Sequence, residues 1–331
     1  METPTASNSF RPPFYLRHPF VQTFLGSLRL KRPAHKPLVA GASPLVLTTA
    51  QGTRLKGLLS RAGLRPAKGT VILLHGWEGS SGSSYVLNAG AFLLARGFDI
   101  FRLNLRDHGD SHALNQGMFY ATLLDETYDA FLQAARLAEG GPVFLCGFSL
   151  GGNFALRIAR CWSRAPQNGI DLRHVIAVSP VLDPDRATTA VDSHPLIRSY
   201  FIGKWKRSLA TKQSLFPELY NFEPVLKYKT VRSMTDALLK RFSEYPDAQA
   251  YFAEYNLCGD ALASIDITTT IITAEDDPII PVDDFRRLTL PGAVQRLIQP
   301  YGGHNGFLPA IRGARYHDMY MQKCFEARTN A

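Results

Sequence analysis

Apolar residues follow two alternating patterns along most of the chain. Short continuous runs that end in glycine-bearing loops, such as "TVILL" at 70–74 and "PVFLC" at 142–146, are typical of buried strands. Between these two runs, "LLDETYDAFLQAARLA" has apolar residues at the i, i+4, i+7 and i+8 spacing of an amphipathic helix. Strands separated by helices predict an α/β fold with a mostly parallel central sheet flanked by helices.

Further stretches extend this alternation. "PLVLTT" and "LKGLLS" flank the polar "AQGTR" and predict a hairpin before the first parallel strand. "SYVLNAGAFLLAR" at 84–96 has helical spacing and is followed by Gly97, a residue typical of helix C-termini. One more helix and four more strands are predicted at "LGGNFALRIARCW", "DIFRLNL", "HVIAVS", "DITTTIITA" and "GAVQRLIQ".

One long segment interrupts the alternation. Residues 184–265 contain aromatic and basic stretches with helical character and no clear strand, and this length is too great for a plain loop. We expect it to form a helical cap inserted between the two parts of an α/β core, 45–183 and 266–331. Residues 1–44 contain several prolines and aromatic residues, and we expect a surface arm whose residues 1–10 are disordered.

The net charge of +9 is distributed unevenly. The first 70 residues hold eleven Lys or Arg residues against the single acidic residue Glu2, so the rest of the chain is nearly neutral. The arm could contact anionic lipid weakly, or it could pack its apolar residues on the body; the second interpretation is favoured. No RNP, helix-turn-helix or zinc-finger pattern occurs, so a nucleic-acid partner is not expected.

The cysteines and apolar segments indicate the compartment. Cys146, Cys161, Cys258 and Cys324 are widely spaced and form no C-x-x-C pattern, which favours reduced thiols over disulfides or a zinc site. No apolar run is long enough to span a membrane, and the first residues lack the apolar region of a secretory signal. We therefore expect a cytoplasmic protein.

The stretch "CGFSLGG" contains the pattern G-x-S-x-G at residues 147–151. In the nucleophile elbow, glycines allow a tight turn between a strand and a helix, and the serine oxygen is left at its tip. The pattern alone is weak evidence, because it also occurs by chance in structural turns. Here a predicted strand precedes it and a predicted helix follows it, which favours Ser149 as a nucleophile.

A serine nucleophile needs a base, and the base needs an anion that orients it. His304 lies in the glycine-rich loop "YGGHNGF" after the last predicted strand, where it can reach the active edge of the sheet. Asp277 is the favoured acid, because it follows the strand "TIITA" and precedes a rigid Pro-Ile-Ile-Pro turn. Asp276 beside it and Asp183 after the preceding strand are the alternatives.

The loop "LLHGWEGS" follows an early strand and is predicted to form part of an oxyanion hole. We expect the backbone N–H groups of Trp77 and Leu150 to hold the oxyanion, and His75 to brace the loop. Phe148 is expected to wall the substrate pocket, and Trp77 to contribute to it. No metal or organic cofactor is expected.

Taken together, these residues resemble the α/β-hydrolase superfamily over about residues 45–325. The stretches "HGWEGSSGSSY", "GFSLGGN", "EDDPIIP" and "GGHNGF", with "HPFVQTF" in the arm, are similar to the YheT-like hydrolases, which are relatives of the animal ABHD-type lipid hydrolases. The order Ser149, Asp277, His304 is that of the superfamily. The resemblance implies the α/β-hydrolase fold.

The expected function is hydrolysis of a small-molecule or lipid carboxylic ester through an acyl-enzyme. We expect Trp77, Phe148, Leu150 and the aromatic residues of the cap to form an apolar access route to Ser149. Such a route predicts an apolar acyl chain of short to medium length. An acyltransferase of the homoserine-acetyltransferase type would use the same three residues with an alcohol acceptor. A non-catalytic binding protein on the same fold is the least favoured alternative, because it would usually have lost one of the three residues.

Overall fold

A computed structural model describes residues 9–28, 32–63 and 66–329. In these residues, eight strands form one sheet in the order β1-β2-β4-β3-β5-β6-β7-β8. The strands are β1 (Ala42–Thr48), β2 (Arg54–Ser60), β3 (Thr70–Leu74), β4 (Asp99–Leu103), β5 (Pro142–Phe148), β6 (Asp171–Val178), β7 (Thr269–Ala274) and β8 (Val294–Gln299). β2 pairs antiparallel with both β1 and β4, and every other pair is parallel. The sheet is the mostly parallel one that the sequence predicts.

The described residues also form twelve α-helices. They are α1 (Pro19–Ser27), α2 (Lys36–Ala40), α3 (Ser84–Leu94), α4 (Leu124–Arg136), α5 (Leu150–Arg164), α6 (Pro184–Ser193), α7 (Pro195–Leu215), α8 (Glu223–Leu226), α9 (Val231–Phe242), α10 (Ala248–Ala253), α11 (Val282–Arg286) and α12 (Tyr316–Glu326). Helices α3 and α12 pack against each other, as do α4 and α5.

The continuous apolar run of β3 is explained by burial on both faces of the sheet. Ile72 and Leu74 belong to the core on the side of α4 and α5, whereas Val71 and Leu73 belong to the core on the side of α3 and α12. All five side chains of the strand are buried. Because both faces of this central strand are covered, apolar side chains suit successive positions. Burial of each large apolar side chain stabilises the folded state by about 1.5–3 kcal/mol.

Helices α6 to α10 lie in the chain between β6 and β7. The first of them begins after Asp183, whose side chain accepts hydrogen bonds from the backbone N–H groups of Asp185 and Arg186 and so caps the helix. The backbone N–H of Leu257, after the last of them, donates to the carbonyl of Leu182 at 2.8 Å. The helical segment therefore leaves and returns to the core at neighbouring points.

The arm packs on the body through its apolar residues. Phe10, Leu16 and Leu38 are buried, and the backbone N–H of Phe10 donates to Gln299 Oε1 at 2.6 Å. The expected disorder of residues 1–10 is therefore wrong for Phe10, because this ring fills a gap beside Phe307 and Tyr316. Residues 1–8 lie outside the described residues.

Among the helices of the described residues, none combines the length and the apolar character that crossing a lipid bilayer requires.

Candidate active site

Ser149 stands at the junction of β5 and α5, in a backbone conformation that serine rarely adopts. Its φ and ψ are 55° and −119°, and such a conformation costs about 1–3 kcal/mol unless the surroundings impose it. The turn has no room for larger neighbours, because a Cβ atom on Gly151 would lie 2.4 Å from the carbonyl oxygen of His75. The strained turn leaves the Ser149 hydroxyl at the start of a helix.

The structure brings Ser149, His304 and Asp277 together. His304 Nε2 lies 2.9 Å from Ser149 Oγ, and His304 Nδ1 lies 2.9 Å from Asp277 Oδ2. Asp277 Oδ1 accepts hydrogen bonds from the backbone N–H groups of Ile279 and Ile280 at 2.8 and 3.0 Å. With Nδ1–H donating to the carboxylate, Nε2 is left as the acceptor for the serine proton.

The two alternative acids have other contacts. Asp276 Oδ1 accepts a hydrogen bond from the backbone N–H of Gly303 at 2.8 Å, so it holds the loop that carries His304. Burial raises the pKa of Asp276 to about 6. Asp183 caps α6, as described above. Of the three candidates, Asp277 is the carboxylate that contacts the His304 ring.

Trp77 and Leu150 have backbone N–H groups available beside the serine. Among the described residues, no acceptor is hydrogen-bonded to either group. Leu150 is the first residue of α5, where the N–H groups have no partner within the helix. The loop of Trp77 approaches closely, since a Cβ atom on Gly76 would lie 3.0 Å from Ser149 Cβ. An oxygen that becomes negative on the acyl carbon would find two donors here.

Two buried histidines hold the Trp77 loop. His75 Nδ1 lies 2.8 Å from the carbonyl oxygen of Gly76, and its Nε2 accepts the N–H of Leu105 at 3.1 Å. His108 Nε2 accepts the N–H of Glu78 at 3.1 Å, and its Nδ1 lies 2.7 Å from the carbonyl of Arg106. Burial lowers the pKa of His75 to about 4 and also lowers that of His108. Both rings therefore serve as neutral braces, and only the role of His75 follows from the sequence.

A sequence profile of the alpha/beta hydrolase family matches residues 71–318. The chain belongs to the alpha/beta hydrolase family. A protein of Synechocystis sp. that bears a provisional esterase name is 24% identical to this hydrolase, over 90% of this chain and 87% of its own.

Solved structures resemble the hydrolase in fold. An esterase of Pyrococcus furiosus has a TM-score of 0.54 at 17% identity, covering 90% of this chain and 93% of its own. The 2,6-dihydroxy-pseudo-oxynicotine hydrolase has a TM-score of 0.58 at 17% identity, covering 88% of this chain and 69% of its own. At these identities the likeness shows a shared α/β-hydrolase fold.

An apolar cavity of the hydrolase opens beside Ser149. It contains about 920 Å³ of empty space, part of it open to solvent, and lies between the core and the helices that follow β6. Its wall is mainly aromatic and aliphatic, and includes Phe119, Ala187, Val191, Leu238 and Phe252. Trp77 contributes its side chain, which stacks on Phe201 at 5.4 Å between ring centroids.

Phe148 does not line this cavity, so its predicted role as a pocket wall is wrong. β5 continues through Phe148, which is paired with Val178 of β6. Side chains alternate along a strand, and Phe148 therefore follows Phe144 and Cys146 onto the other face of the sheet. There its ring packs 5.0 Å from Tyr85 and 5.4 Å from His317.

A second cavity lies on the other side of Ser149 and is polar. It contains about 510 Å³ of empty space, also partly open to solvent. Its described wall includes Ser83, Tyr85, Lys204, His304 and Asn305. Trp77, Ser149 and Phe201 line both cavities, so the serine lies where the apolar and polar spaces meet.

The arm contacts the loop of His304. Thr23 Oγ1 accepts a hydrogen bond from the backbone N–H of His304 at 2.9 Å. Gln22 is fully buried; its Nε2 donates to the carbonyls of Leu16 and Leu308, and its Oε1 accepts the N–H of Leu308 at 2.7 Å. In the sequence, only the family resemblance points to the "Q-T" pair of the arm, because hydrogen bonds to a loop 281 residues later leave no local pattern.

Across residues 9–28, 32–63 and 66–329, no group of three or more His, Cys, Asp or Glu side chains is arranged to hold a metal ion.

Proposed function

We propose that this hydrolase cleaves carboxylic esters by a two-step mechanism with Ser149 as the nucleophile. The observation that carries the proposal is the 2.9 Å contact between His304 Nε2 and Ser149 Oγ at the junction of the two cavities. The provisional esterase name of the Synechocystis sp. relative agrees with it. The YheT-like subfamily remains a proposal based on the sequence resemblance.

In the first step, His304 Nε2 takes the proton of Ser149 as Oγ bonds to the carbonyl carbon. The carbonyl oxygen becomes negative and accepts hydrogen bonds from the N–H groups of Trp77 and Leu150. Asp277 stabilises the imidazolium through Nδ1–H. When the bond to the alcohol breaks, His304 gives its proton to the leaving oxygen, and Ser149 is left acylated.

In the second step, water replaces the alcohol. His304 takes a proton from the water as its oxygen bonds to the acyl carbon, and the same two N–H groups stabilise the oxyanion. Collapse breaks the bond to Ser149 Oγ, which recovers its proton from His304. The acid is released, and the enzyme returns to its starting state.

The apolar cavity supports an apolar acyl chain of short to medium length. Its aromatic and aliphatic wall can remove the chain from water, a transfer that favours binding by about 0.8 kcal/mol for each buried methylene. We assign the acyl chain to this cavity and the alcohol portion of the ester to the polar one.

Release of p-nitrophenol from acetate to dodecanoate esters tests the proposal. His304→Ala should reduce kcat by about 10³-fold or more. Asp277→Asn should also cause a large loss, because the amide supports the wrong His304 tautomer. The matched variants Asp276→Asn and Asp183→Asn should lose much less activity. A larger loss at Asp183 than at Asp277 would contradict the assignment of the acid.

The same assay separates hydrolysis from acyl transfer. If acyl product forms rapidly only when an alcohol acceptor such as homoserine is added, and the acyl-enzyme otherwise persists in water, the chain is an acyltransferase. We expect turnover in water without any acceptor. A non-catalytic binding protein would show no turnover under either condition.

We further propose a weak contact between the arm and anionic lipid. Phe14 and Tyr15 are 81% and 54% exposed, and Arg11 and Arg17 beside them are also exposed. Aromatic and basic side chains together favour a negatively charged membrane surface. The test is sedimentation of the protein with anionic vesicles. Binding at low salt that is lost at high salt and in the double variant Phe14→Ser/Tyr15→Ser would support the lipid contact. No binding of wild type at low salt would contradict it.

A further inference from the structure

The polar cavity beside Ser149 has one fully charged side chain among its described lining residues. Ser27, Ser83, Ser84, Tyr85 and Asn305 supply polar groups, and His304 is the proposed base. Lys204, on α7, supplies an ammonium group. A cation in the space that would receive the alcohol portion of an ester must attract or repel whatever charge that alcohol carries.

The Lys204 charge is not used by an ion pair. Among the described residues, no salt bridge includes Lys204, whose Nζ lies 5.1 Å above the centroid of the Tyr200 ring. Lys212, on the same helix, shows the contrast, because its Nζ is 2.9 Å from Asp107 Oδ1. Lys212 is a structural cation, whereas Lys204 is half-buried without a carboxylate partner.

The carboxyl groups near Lys204 do not cancel its charge. Lys204 also lines a neighbouring polar cavity together with Glu78 and Asp107. Burial raises the pKa of Glu78 to about 8, so this group is mostly protonated at neutral pH. Asp107 is already paired with Lys212. The positive potential of Lys204 therefore extends into the cavity beside Ser149.

Asn305 contributes a polar side chain to the wall of this cavity. It follows His304, lines the same cavity and is 5% exposed. Its side-chain oxygen is buried and has no hydrogen-bond partner among the described residues. Oδ1 is therefore shielded from the cavity, and the selection of an anion depends on the ammonium group of Lys204.

We propose that the polar cavity selects esters whose alcohol portion carries an anionic group, either a phosphate or a carboxylate, and that Lys204 binds this anion. The inference rests on the proposed ester hydrolysis, because it places the leaving alcohol in this cavity. A charge-assisted hydrogen bond from Lys204 would hold the alcohol while His304 protonates its leaving oxygen. Lys204 is a specificity-determining residue in this account and takes no part in proton transfer.

Three octanoyl esters with the same acyl chain test the selection. They are 1-octanoylglycerol, which is neutral, its 3-phosphate, and 3-octanoyloxypropanoate, which carries a carboxylate. We expect wild type to hydrolyse at least one anionic ester with kcat/KM about 10-fold higher than the neutral one. Comparison of the phosphate ester with the carboxylate ester identifies which anion the cavity prefers. The ratio of anionic to neutral kcat/KM is the decisive readout, because general damage to the enzyme lowers both values together.

Lys204→Met should reduce this ratio to about one, and Lys204→Arg should retain much of it. Lys240→Met is the matched control, because it removes an exposed lysine from α9 and should leave the ratio at the wild-type value. If Lys204→Met does not fold, Lys204→Gln, checked by labelling with a fluorophosphonate, answers the same question. An unchanged ratio in a folded Lys204 variant, or no preference in wild type, would overturn the selection by Lys204 while ester hydrolysis stands. Failure of wild type to hydrolyse any ester or to react with the fluorophosphonate would overturn the proposed function and this inference together.

Discussion

The hydroxyl of Thr23 accepts the backbone N–H of His304 at 2.9 Å. The same hydroxyl donates to the carbonyl oxygen of Pro19 at 2.8 Å, which fixes its orientation within α1. On the other side of the loop, Asp276 holds the N–H of Gly303. The proposed base is therefore set between a residue of the arm and a residue that follows β7.

Removal of the Thr23 hydroxyl should impair the chemical step. In Thr23→Val the N–H of His304 loses its acceptor, and a small displacement of the imidazole from Ser149 lowers kcat by roughly 10- to 100-fold with little change in KM. The unpaired N–H should also cost about 1–3 kcal/mol of stability. Steady-state kinetics and denaturant unfolding measure the two effects.

Thr23→Ser keeps the hydroxyl and should restore most of kcat. Thr189→Val is the matched control, because it removes an exposed hydroxyl that bonds only within α6. If Thr23→Val had a lower free energy of unfolding but a normal kcat, the contact would stabilise the fold without positioning the base.

This contact marks a limit of what the sequence can predict. Strand β3 lies at residues 70–74 as predicted, because a continuous apolar run between two covered faces leaves little ambiguity. The hairpin of β1 and β2 is also confirmed. Contacts between the arm and the loop after β8 depend on the whole fold, so no local pattern indicates them.

The error at Phe148 has a similar origin. The pattern G-x-S-x-G indicates a turn, but it does not say that strand pairing continues through the residue before the serine. One residue of additional strand decides which face of the sheet a side chain occupies. That Ser149, Asp277 and His304 lie close together follows more readily from the sequence, because each follows a strand and parallel strands end at one edge.

A larger side chain in the apolar cavity should shorten the acyl chains that the hydrolase accepts. Ala187 lies in α6 and lines this cavity, so Ala187→Phe would occupy space proposed for the distal methylenes. We expect kcat/KM for octanoate and longer p-nitrophenyl esters to fall about 10-fold or more, with acetate much less affected.

Ala190→Phe places the same ring on the same helix at a position that is not among the residues lining the cavity. It should leave the dependence on chain length unchanged. A uniform loss for all esters in Ala187→Phe, or the same profile in both variants, would contradict the assignment of the acyl chain to this cavity.

The preference for anionic alcohols should depend on the ionisation of Glu78. Burial raises its pKa to about 8, so the carboxyl is neutral below this pH and negative above it. Lys204 and Arg207 of α7 and Asp107 and His108 after β4 line the same neighbouring cavity as Glu78. As the pH rises from 7 to 9, the new negative charge should compensate Lys204, and the ratio of anionic to neutral kcat/KM should fall.

Glu78→Gln keeps the shape of the side chain but cannot ionise. In this variant the ratio of anionic to neutral kcat/KM should therefore stay constant between pH 7 and 9. The same ionisation affects stability. Between pH 4.5 and about 8 the folded state retains a proton that the unfolded chain releases, so the contribution of Glu78 to the free energy of unfolding falls as the pH rises. A ratio in Glu78→Gln that declines as in wild type would assign the pH dependence to another group.

The nucleophile itself is tested most directly by covalent labelling. Wild type, Ser149→Ala and the control Ser193→Ala, which removes an exposed serine, are treated with a fluorophosphonate and examined by intact-protein and peptide mass spectrometry. We expect one adduct on the peptide of Ser149 in wild type and in Ser193→Ala, and none in folded Ser149→Ala. Labelling and ester turnover in folded Ser149→Ala at the wild-type rate would contradict the assignment of Ser149 as the nucleophile.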